Sequence, residues 1–270
     1  MYKIKDQWAQ VRWMDVPILY FDFETTSLLE DEDDPESLDE QDVKDWLTRN
    51  EACHVVQVAA DLYHRGELIA SVYEYVKPSL PEFYDIPPEA SAIHGITRPM
   101  IEGEDVKTFE QVWEVFGELI GMAGCCVAYN GLGFDKKVLE LEFARMTGNF
   151  RKFNVPLLDP MIWNKMKNKK GKSRNSVKLI DAAKDRGCAH ARRVVQGHEK
   201  AHNAKVDIDM LREVTVAMSV SDIHTWTLQD TIEKQTEYRA QLLASSTNEK
   251  KKRKDQAAKK KARNEAKKAT

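Results

Sequence analysis

The stretch VPILYFDFETTSL, from Val16 to Leu28, places two carboxylates, Asp22 and Glu24, at the end of an apolar run. The run predicts a buried β-strand, and side chains two residues apart on a strand point to the same face. Buried neighbouring carboxylates repel each other unless partners or a cation compensate their charge. A divalent cation at this position would explain the pair, but a strand that ends in a solvated polar turn would carry the same letters.

The composition is that of a folded protein without secretion or membrane signals. The chain has 270 residues, of which 42% are hydrophobic, so it can build a sizeable core in one large or two small domains. Its four cysteines form no CxxC pair, which favours a reducing compartment and argues against structural zinc. The first 15 residues lack a signal-peptide core, and no segment approaches the length of a membrane span.

Charge is distributed unevenly along the chain. Residues 250–270 contain eleven Lys or Arg against Asp255 and Glu265, so a net charge of −3 conceals a body of −12 and a tail of +9. The Lys- and Ala-rich tail cannot bury enough apolar surface to pack, and it is typical of an arm that contacts a polyanion. The segment EKKKRK (249–254), which overlaps the start of the tail, also matches a nuclear import signal. We therefore expect the cytoplasm in a bacterium or phage, and the nucleus in a eukaryote.

The hydrophobic pattern predicts strands and helices in alternation. Residues 54–78 read as a β-hairpin around Arg65-Gly66, and later segments alternate between helices and short strands, which indicates an α/β domain with a mixed sheet. Residues 30–42 hold nine acids and no base, which predicts a solvated insertion. We predict an N-terminal extension (1–15), one domain (16–230) with the acidic insertion at about 28–48, and a helical or disordered basic tail (231–270).

Two further segments carry residues suited to a polar site. Asp135 follows AYNGLGF at the expected start of a helix, where a carboxylate is favoured by the helix dipole. In HEKAHNAKVDIDM, Asn203 is a suitable N-cap, which places His202 just ahead of a helix and Asp207 near its first turn. An ordinary helix-start acid and a capped helix with a surface histidine would explain the same letters.

In combination these segments resemble the DEDD 3′–5′ exonucleases, in the subgroup whose last motif is HxAxxD. FDFETT (21–26) resembles the first motif, YNGLGFD (129–135) the second and HNAKVD (202–207) the third. We expect SAIHGIT (91–97) to be a short loop, and IHGIT (93–97) within it resembles a loop that lines the terminal-nucleotide pocket in several members. The resemblance implies a ribonuclease H-like exonuclease fold: a mixed central β-sheet flanked by helices, here with a basic C-terminal tail.

The same resemblance implies a site for two Mg²⁺ or Mn²⁺ ions, whose hard oxygen ligands are the four acids. Asp22 would bridge both ions, Glu24 and Asp207 would complete the first site, and Asp135 would hold the second. His202 is the expected general base, since histidine titrates near pH 6.5. These five residues form the predicted catalytic set.

The predicted substrate contacts are Thr25, Leu28, His94 and Asn130. The basic segment KMKNKKGKSR (165–174) would either bind the substrate backbone or form a solvated loop. Two positions depart from the family pattern, Ser27 in place of glycine and Tyr129 in place of histidine, and the second motif has one extra residue. These departures affect the expected substrate contacts more than the metal ligands.

The sequence therefore predicts a metal-dependent 3′–5′ exodeoxyribonuclease. It would act on single-stranded DNA or frayed 3′ ends and release nucleoside 5′-monophosphates, with the basic tail on nucleic acid or on a protein partner. An exoribonuclease of the same fold is the main alternative, because the 2′-OH contact that separates the two has no sequence signature here. A catalytically silent binding module is a further alternative, but it has no need for four mutually repelling acids.

Overall fold

The computed structural model describes residues 3–30, 35, 38–167, 178–199, 202–219 and 225–245. The predicted basic tail 250–270, most of the basic segment 165–174 and part of the acidic insertion lie outside these residues. A six-stranded sheet forms the centre of the fold, in the order β4-β3-β2-β1-β5-β6. Its strands are β1 (Ile18–Thr25), β2 (Val55–His64), β3 (Glu67–Lys77), β4 (Lys107–Thr108), β5 (Cys125–Val127) and β6 (Leu157–Leu158).

The sheet is mixed, as the sequence predicts. Strands β1, β2 and β3 run antiparallel, whereas β5 is parallel to β1 and β6 is parallel to β5. The hairpin between β2 and β3 turns at Arg65 and Gly66, which both have positive φ angles of 51° and 87°. Such angles at both central residues match the right-handed twist of the two strands. The predicted hairpin and the α/β fold class are therefore confirmed.

Besides the 3-10 helices Trp13–Asp15 and Pro81–Phe83, the described residues form eleven α-helices around this sheet. They are α1 (Asp6–Ala9), α2 (Glu40–Arg49), α3 (Pro88–His94), α4 (Arg98–Ile101), α5 (Phe109–Met122), α6 (Asp135–Thr147), α7 (Pro160–Lys167), α8 (Leu179–Asp185), α9 (Ala189–Val195), α10 (Ala204–Met218) and α11 (residues 228–245). Among the described residues, no helix combines the length and the apolar character that a bilayer span requires.

The two faces of β1 have different surroundings. Phe21 and Phe23 point to one face, where their rings lie 5.8 and 5.7 Å from the ring of Phe116 on α5. Asp22 and Glu24 alternate with them and point to the other face, where α10 packs on β1 and β2. The strand is therefore apolar towards α5 and carries its carboxylates towards α10.

Two sequence expectations about local structure require comment. Residues 91–97 do not form a simple loop, because residues 91–94 belong to α3. This helix begins at Pro88 and ends at His94, and Gly95 caps it with a φ angle of 79°. Proline at the start and left-handed glycine at the end favour a short helix. The predicted domain boundary at residue 230 falls within α11, whose Leu228 and Ile232 are buried in the main core. The domain limits themselves remain a prediction.

Candidate active site

Three carboxylates converge between β1 and α10. One oxygen from each of Asp22, Glu24 and Asp207 lies within 4.8 Å of the other two. Strand alternation brings the first two together, and α10 supplies the third because its N-terminus is fixed at Asn203. The Asn203 side chain accepts a hydrogen bond of 3.3 Å from the N–H of Val206, so the predicted N-cap is confirmed.

The fourth acid, Asp135, contacts the same strand from the start of α6. It is the first residue of α6 and is 2% exposed. Its Oδ1 accepts a hydrogen bond of 3.3 Å from the backbone N–H of Phe23, which lies between Asp22 and Glu24. The structure thus brings the four acids of the three predicted motifs together around one strand.

The protonation of these acids is shifted by burial and by their mutual repulsion. Burial first, and then the charges of Asp135, Glu24 and Asp207, raise the pKa of Asp22 well above its usual range. Burial, and then the charges of Asp207 and Asp135, raise the pKa of Glu24 to about 8. Burial raises the pKa of Asp135 and of Asp207 to about 7, although backbone hydrogen bonds from Phe23 and His202 oppose these rises. Without a cation, the cluster therefore holds protons near neutral pH.

The donor set fits a divalent cation. The Oδ1 atom of Asp207 is buried and has no hydrogen-bond partner among the described residues, so this oxygen is available as a ligand. Carboxylate oxygens without sulfur or imidazole in the ligand group suit Mg²⁺ or Mn²⁺. A cation there would also offset the repulsion that contributes to the raised pKa values of Asp22 and Glu24.

His202 lies at the entrance to α10 in an unusual backbone conformation. It is exposed, and its φ angle is 58°, in the left-handed region that non-glycine residues seldom adopt. The backbone N–H of His202 donates a hydrogen bond to the carboxylate of Asp207. The imidazole is therefore carried on a loop whose backbone is tied to an acid of the cluster. Strained conformations of this kind are concentrated at functional sites.

The predicted substrate contacts occupy three different places. Leu28 follows β1 with 78% of its surface exposed, whereas Thr25 is 8% exposed and donates a hydrogen bond of 2.8 Å to the carbonyl of Ser27. His94 is buried at the end of α3. Asn130 lies in the loop before Asp135 with a φ angle of 61°. Their contacts with a substrate remain predictions.

Asp159 is an organising residue that the sequence analysis did not single out. It is 1% exposed, and its carboxylate accepts hydrogen bonds from the backbone N–H groups of Asn130 (2.9 Å), Leu132 (3.3 Å) and Met161 (3.0 Å). Burial raises its pKa to about 6, and these donors oppose the rise. The sequence signal was an acid that ends an apolar strand in VPLLDP.

Comparison with protein-family models matches residues 19–215 to the Exonuclease family, RNase_T. The fold and the acidic cluster are thus those of a nuclease, an enzyme that acts on nucleic acid. The chain belongs to the Exonuclease family, within the DEDD superfamily of 3′–5′ exonucleases. A comparison with curated proteins finds no match.

Several solved structures share the fold. Exonuclease X, solved with 5′ overhanging duplex DNA, is 19% identical with a TM-score of 0.52, and the match covers 81% of this chain and 99% of that one. The nuclease domain of 3′hExo, described as a DEDDh family member bound to rAMP, is 15% identical with a TM-score of 0.55, covering 81% and 98%. E. coli exonuclease I, solved with a dA16 oligonucleotide, is 16% identical with a TM-score of 0.53. That match covers 79% of this chain but only 42% of exonuclease I.

Proposed function

We propose that the chain is a metal-dependent 3′–5′ exonuclease of the histidine subgroup that removes nucleoside 5′-monophosphates from the 3′ ends of single-stranded DNA. The convergence of Asp22, Glu24 and Asp207 within 4.8 Å carries this proposal. Asp135 and His202 are tied to the same cluster by backbone hydrogen bonds, and they complete the ligand and base sets of that subgroup.

Asp22 is the acid best placed to face two cations, since the charges of all three other carboxylates act on it. In the proposed arrangement Glu24 and Asp207 complete one cation site, and Asp135 completes the other. Two divalent cations, when bound, supply charge stabilisation for the attacking and leaving oxygens of an in-line displacement. The backbone holds this arrangement in place, because all four acids lie within a regular strand or helix.

His202 is proposed to take the proton of the attacking water. His202 is exposed, so its imidazole could pass the proton to bulk water after each turnover. Histidine suits this step because its ordinary pKa lies close to neutrality. The backbone bond from His202 to Asp207 keeps the base near the acids without making its imidazole a ligand.

The 3′ end would be held next to the end of β1. Leu28 exposes most of its side chain there, which would let it contact the terminal base once a substrate covers it. Thr25, His94 and Asn130 are the proposed polar contacts to the terminal nucleotide. An apolar contact combined with a few polar ones can fix the end of a strand without reading its sequence.

An RNA substrate is a second candidate. The nuclease domain of 3′hExo was solved with rAMP, and another structural relative is a 3′-exonuclease solved with a histone mRNA stem-loop, 15% identical with a TM-score of 0.53. The structures of exonuclease X and exonuclease I were solved with DNA. These likenesses are at the level of the fold, so they leave the sugar preference to experiment.

The decisive experiment is digestion of 5′-labelled oligonucleotides by the full chain. Single-stranded DNA, duplex DNA, duplex with a frayed 3′ end, and single-stranded RNA are compared with Mg²⁺ and with a chelator. A ladder that shortens from the 3′ end only in the presence of metal supports the proposal. Binding without hydrolysis would support a silent module, and faster loss of RNA would assign an exoribonuclease. No metal-dependent shortening of any substrate would refute the proposal.

A further inference from the structure

The loop before Asp135 is tightly packed, and its backbone is hydrogen-bonded to Asp159. A Cβ at Gly131 would lie 2.6 Å from the Ala128 Cβ, and one at Gly133 would lie 2.6 Å from Asn130 Oδ1. A side chain at either glycine would therefore force neighbouring atoms of the turn to move. Asp159 Oδ1 accepts from the N–H of Asn130 and its Oδ2 from the N–H of Leu132. The position of Asp135 therefore depends on where β6 ends.

The end of β6 is in turn bonded by a side chain from α11. Gln235 is 1% exposed; its Oε1 accepts from the N–H of Asp159 at 2.6 Å, and its Nε2 donates to the carbonyl of Leu157 at 2.8 Å. These two backbone groups lie on the side of β6 that faces away from β5, because the carbonyls of Pro156 and Leu158 bond to β5. The amide of Gln235 thus pairs with the outer edge of β6 as a further strand would.

A second contact lies one turn further along α11. The Nη2 atom of Arg239 donates to the carbonyl of Leu132 at 3.5 Å. Residues four apart lie on the same face of a helix, so Gln235 and Arg239 contact β6 and the loop from one side of α11. Leu228 and Thr231, each 0% exposed, anchor the start of the helix in the core. Both contacts come from residues beyond 215, where the family match ends.

We propose that α11 is a positioning element of the active site, in which Gln235 sets the place of Asp135 through Asp159 and the loop. This inference rests on the proposed function, because Asp135 is taken as a ligand of the second cation. Gln235 touches neither substrate nor cation. Its removal would leave the N–H of Asp159 and the carbonyl of Leu157 without their buried partner, and the loop would lose its fixed support.

The test compares Gln235→Leu, which keeps the size and removes both hydrogen bonds, with Gln229→Leu. Gln229 lies on the same helix, and its Nε2 bonds to Glu233 within that helix. Mn²⁺ binding is measured by calorimetry, and kcat and KM are measured on a single-stranded oligonucleotide over a range of Mn²⁺ concentrations. We expect Gln235→Leu to weaken Mn²⁺ binding and to lower kcat by about tenfold or more, as changes behind a ligand usually do. KM for the oligonucleotide should change less than about twofold, and Gln229→Leu should match wild type.

If Gln235 contributes only to stability, Gln235→Leu will melt at a lower temperature than wild type. Its Mn²⁺ affinity and kcat, measured well below that temperature, will then be unchanged. This result would overturn the proposal. If Gln235→Leu does not fold, Arg239→Met provides the second variant, and it should shift Mn²⁺ binding and kcat in the same direction by a smaller factor. Unchanged values in Arg239→Met would then reject the role of α11. Failure of the proposed function itself would be distinct, since wild type would then show no metal-dependent hydrolysis.

Discussion

The carboxylate of Asp135 accepts a hydrogen bond of 3.3 Å from the backbone N–H of Phe23, the residue between Asp22 and Glu24. The acid of the second motif is therefore hydrogen-bonded to the backbone of the first motif and not to one of its side chains. Asp207 is tied in the same way to the backbone N–H of His202. The spacing of the acids is therefore set by the backbone before any cation binds, which is the condition for a preorganised site.

Asp22→Asn should abolish hydrolysis without loss of the fold. It removes the carboxylate on which the three other charges of the cluster act, so turnover should fall by about 10³-fold or more, as for loss of a principal charge-stabilising group. The metal-free variant should melt no lower than wild type, because one repelling charge is gone. Asp105→Asn, at an exposed acid, is the matched control. Wild-type turnover by purified Asp22→Asn would show that the site is elsewhere.

The stability of the metal-free protein should depend on pH through the cluster. Burial and repulsion raise the pKa of Glu24 from 4.5 to about 8, and burial raises that of Asp135 and Asp207 from 3.8 to about 7. The folded protein thus keeps protons that the unfolded chain releases. The retained protons add to the free energy of unfolding. This stabilisation is fully present below about pH 4 and is lost as pH rises towards 8, by up to about 1.4 kcal/mol per pH unit for each proton.

Urea unfolding at pH 5.5 and pH 8, with and without Mg²⁺, measures this effect. Wild type should lose more stability than Asp22→Asn over this range, and Mg²⁺ should stabilise wild type more at pH 8, where it replaces fewer protons. Burial lowers the pKa of His54 to about 3, so His54 makes the folded state more stable as pH rises. This effect is the same in wild type and in Asp22→Asn, so it does not alter the difference between them. Equal pH dependence of the two proteins would contradict the electrostatic account of the cluster.

His202→Ala should lower kcat by about 10²–10⁴-fold, which is the usual contribution of a positioned general base. Mn²⁺ affinity should persist, because the backbone hydrogen bond from His202 to Asp207 is kept and the imidazole is not proposed as a ligand. His198→Ala is the control, since His198 is an exposed histidine a few residues earlier in the same connection. A collapse of Mn²⁺ binding in His202→Ala would reassign the imidazole as a ligand.

Leu28→Ala should raise KM and leave kcat nearly unchanged. Leu28 is 78% exposed in the free protein, so the substrate would bury it, and losing most of that apolar contact should weaken binding by about tenfold. Binding that is lost equally from the ground and transition states does not alter kcat. Leu68→Ala, at a leucine on β3 that is 52% exposed, is the control. A fall in kcat with constant KM would place Leu28 in the chemistry instead.

The local parts of the site were predictable because they depend on short-range rules. Strand alternation puts Asp22 and Glu24 on one face, and an N-cap at Asn203 fixes the turn that carries Asp207. The support behind Asp135 was not predictable, since Gln235 reaches Asp159 across 76 residues of sequence. A single buried glutamine within a charged helix has no periodic signal, so only the packed structure shows which backbone groups it bonds.

Residues 250–270 hold eleven cations and almost nothing that could pack, so we predict that they contribute affinity and not chemistry. Contacts to phosphates release counterions, which gives a slope of log affinity against log salt of about −0.7 for each phosphate neutralised on a single strand. If about five of the cations contact the substrate, deletion after Thr247 should flatten this slope by about 3 to 4 units and raise KM. The kcat should stay nearly constant, because the arm would bind ground and transition states equally. Should the truncated chain keep the full-length salt slope, the tail does not contact nucleic acid, and docking to a protein partner becomes the better explanation of its charge.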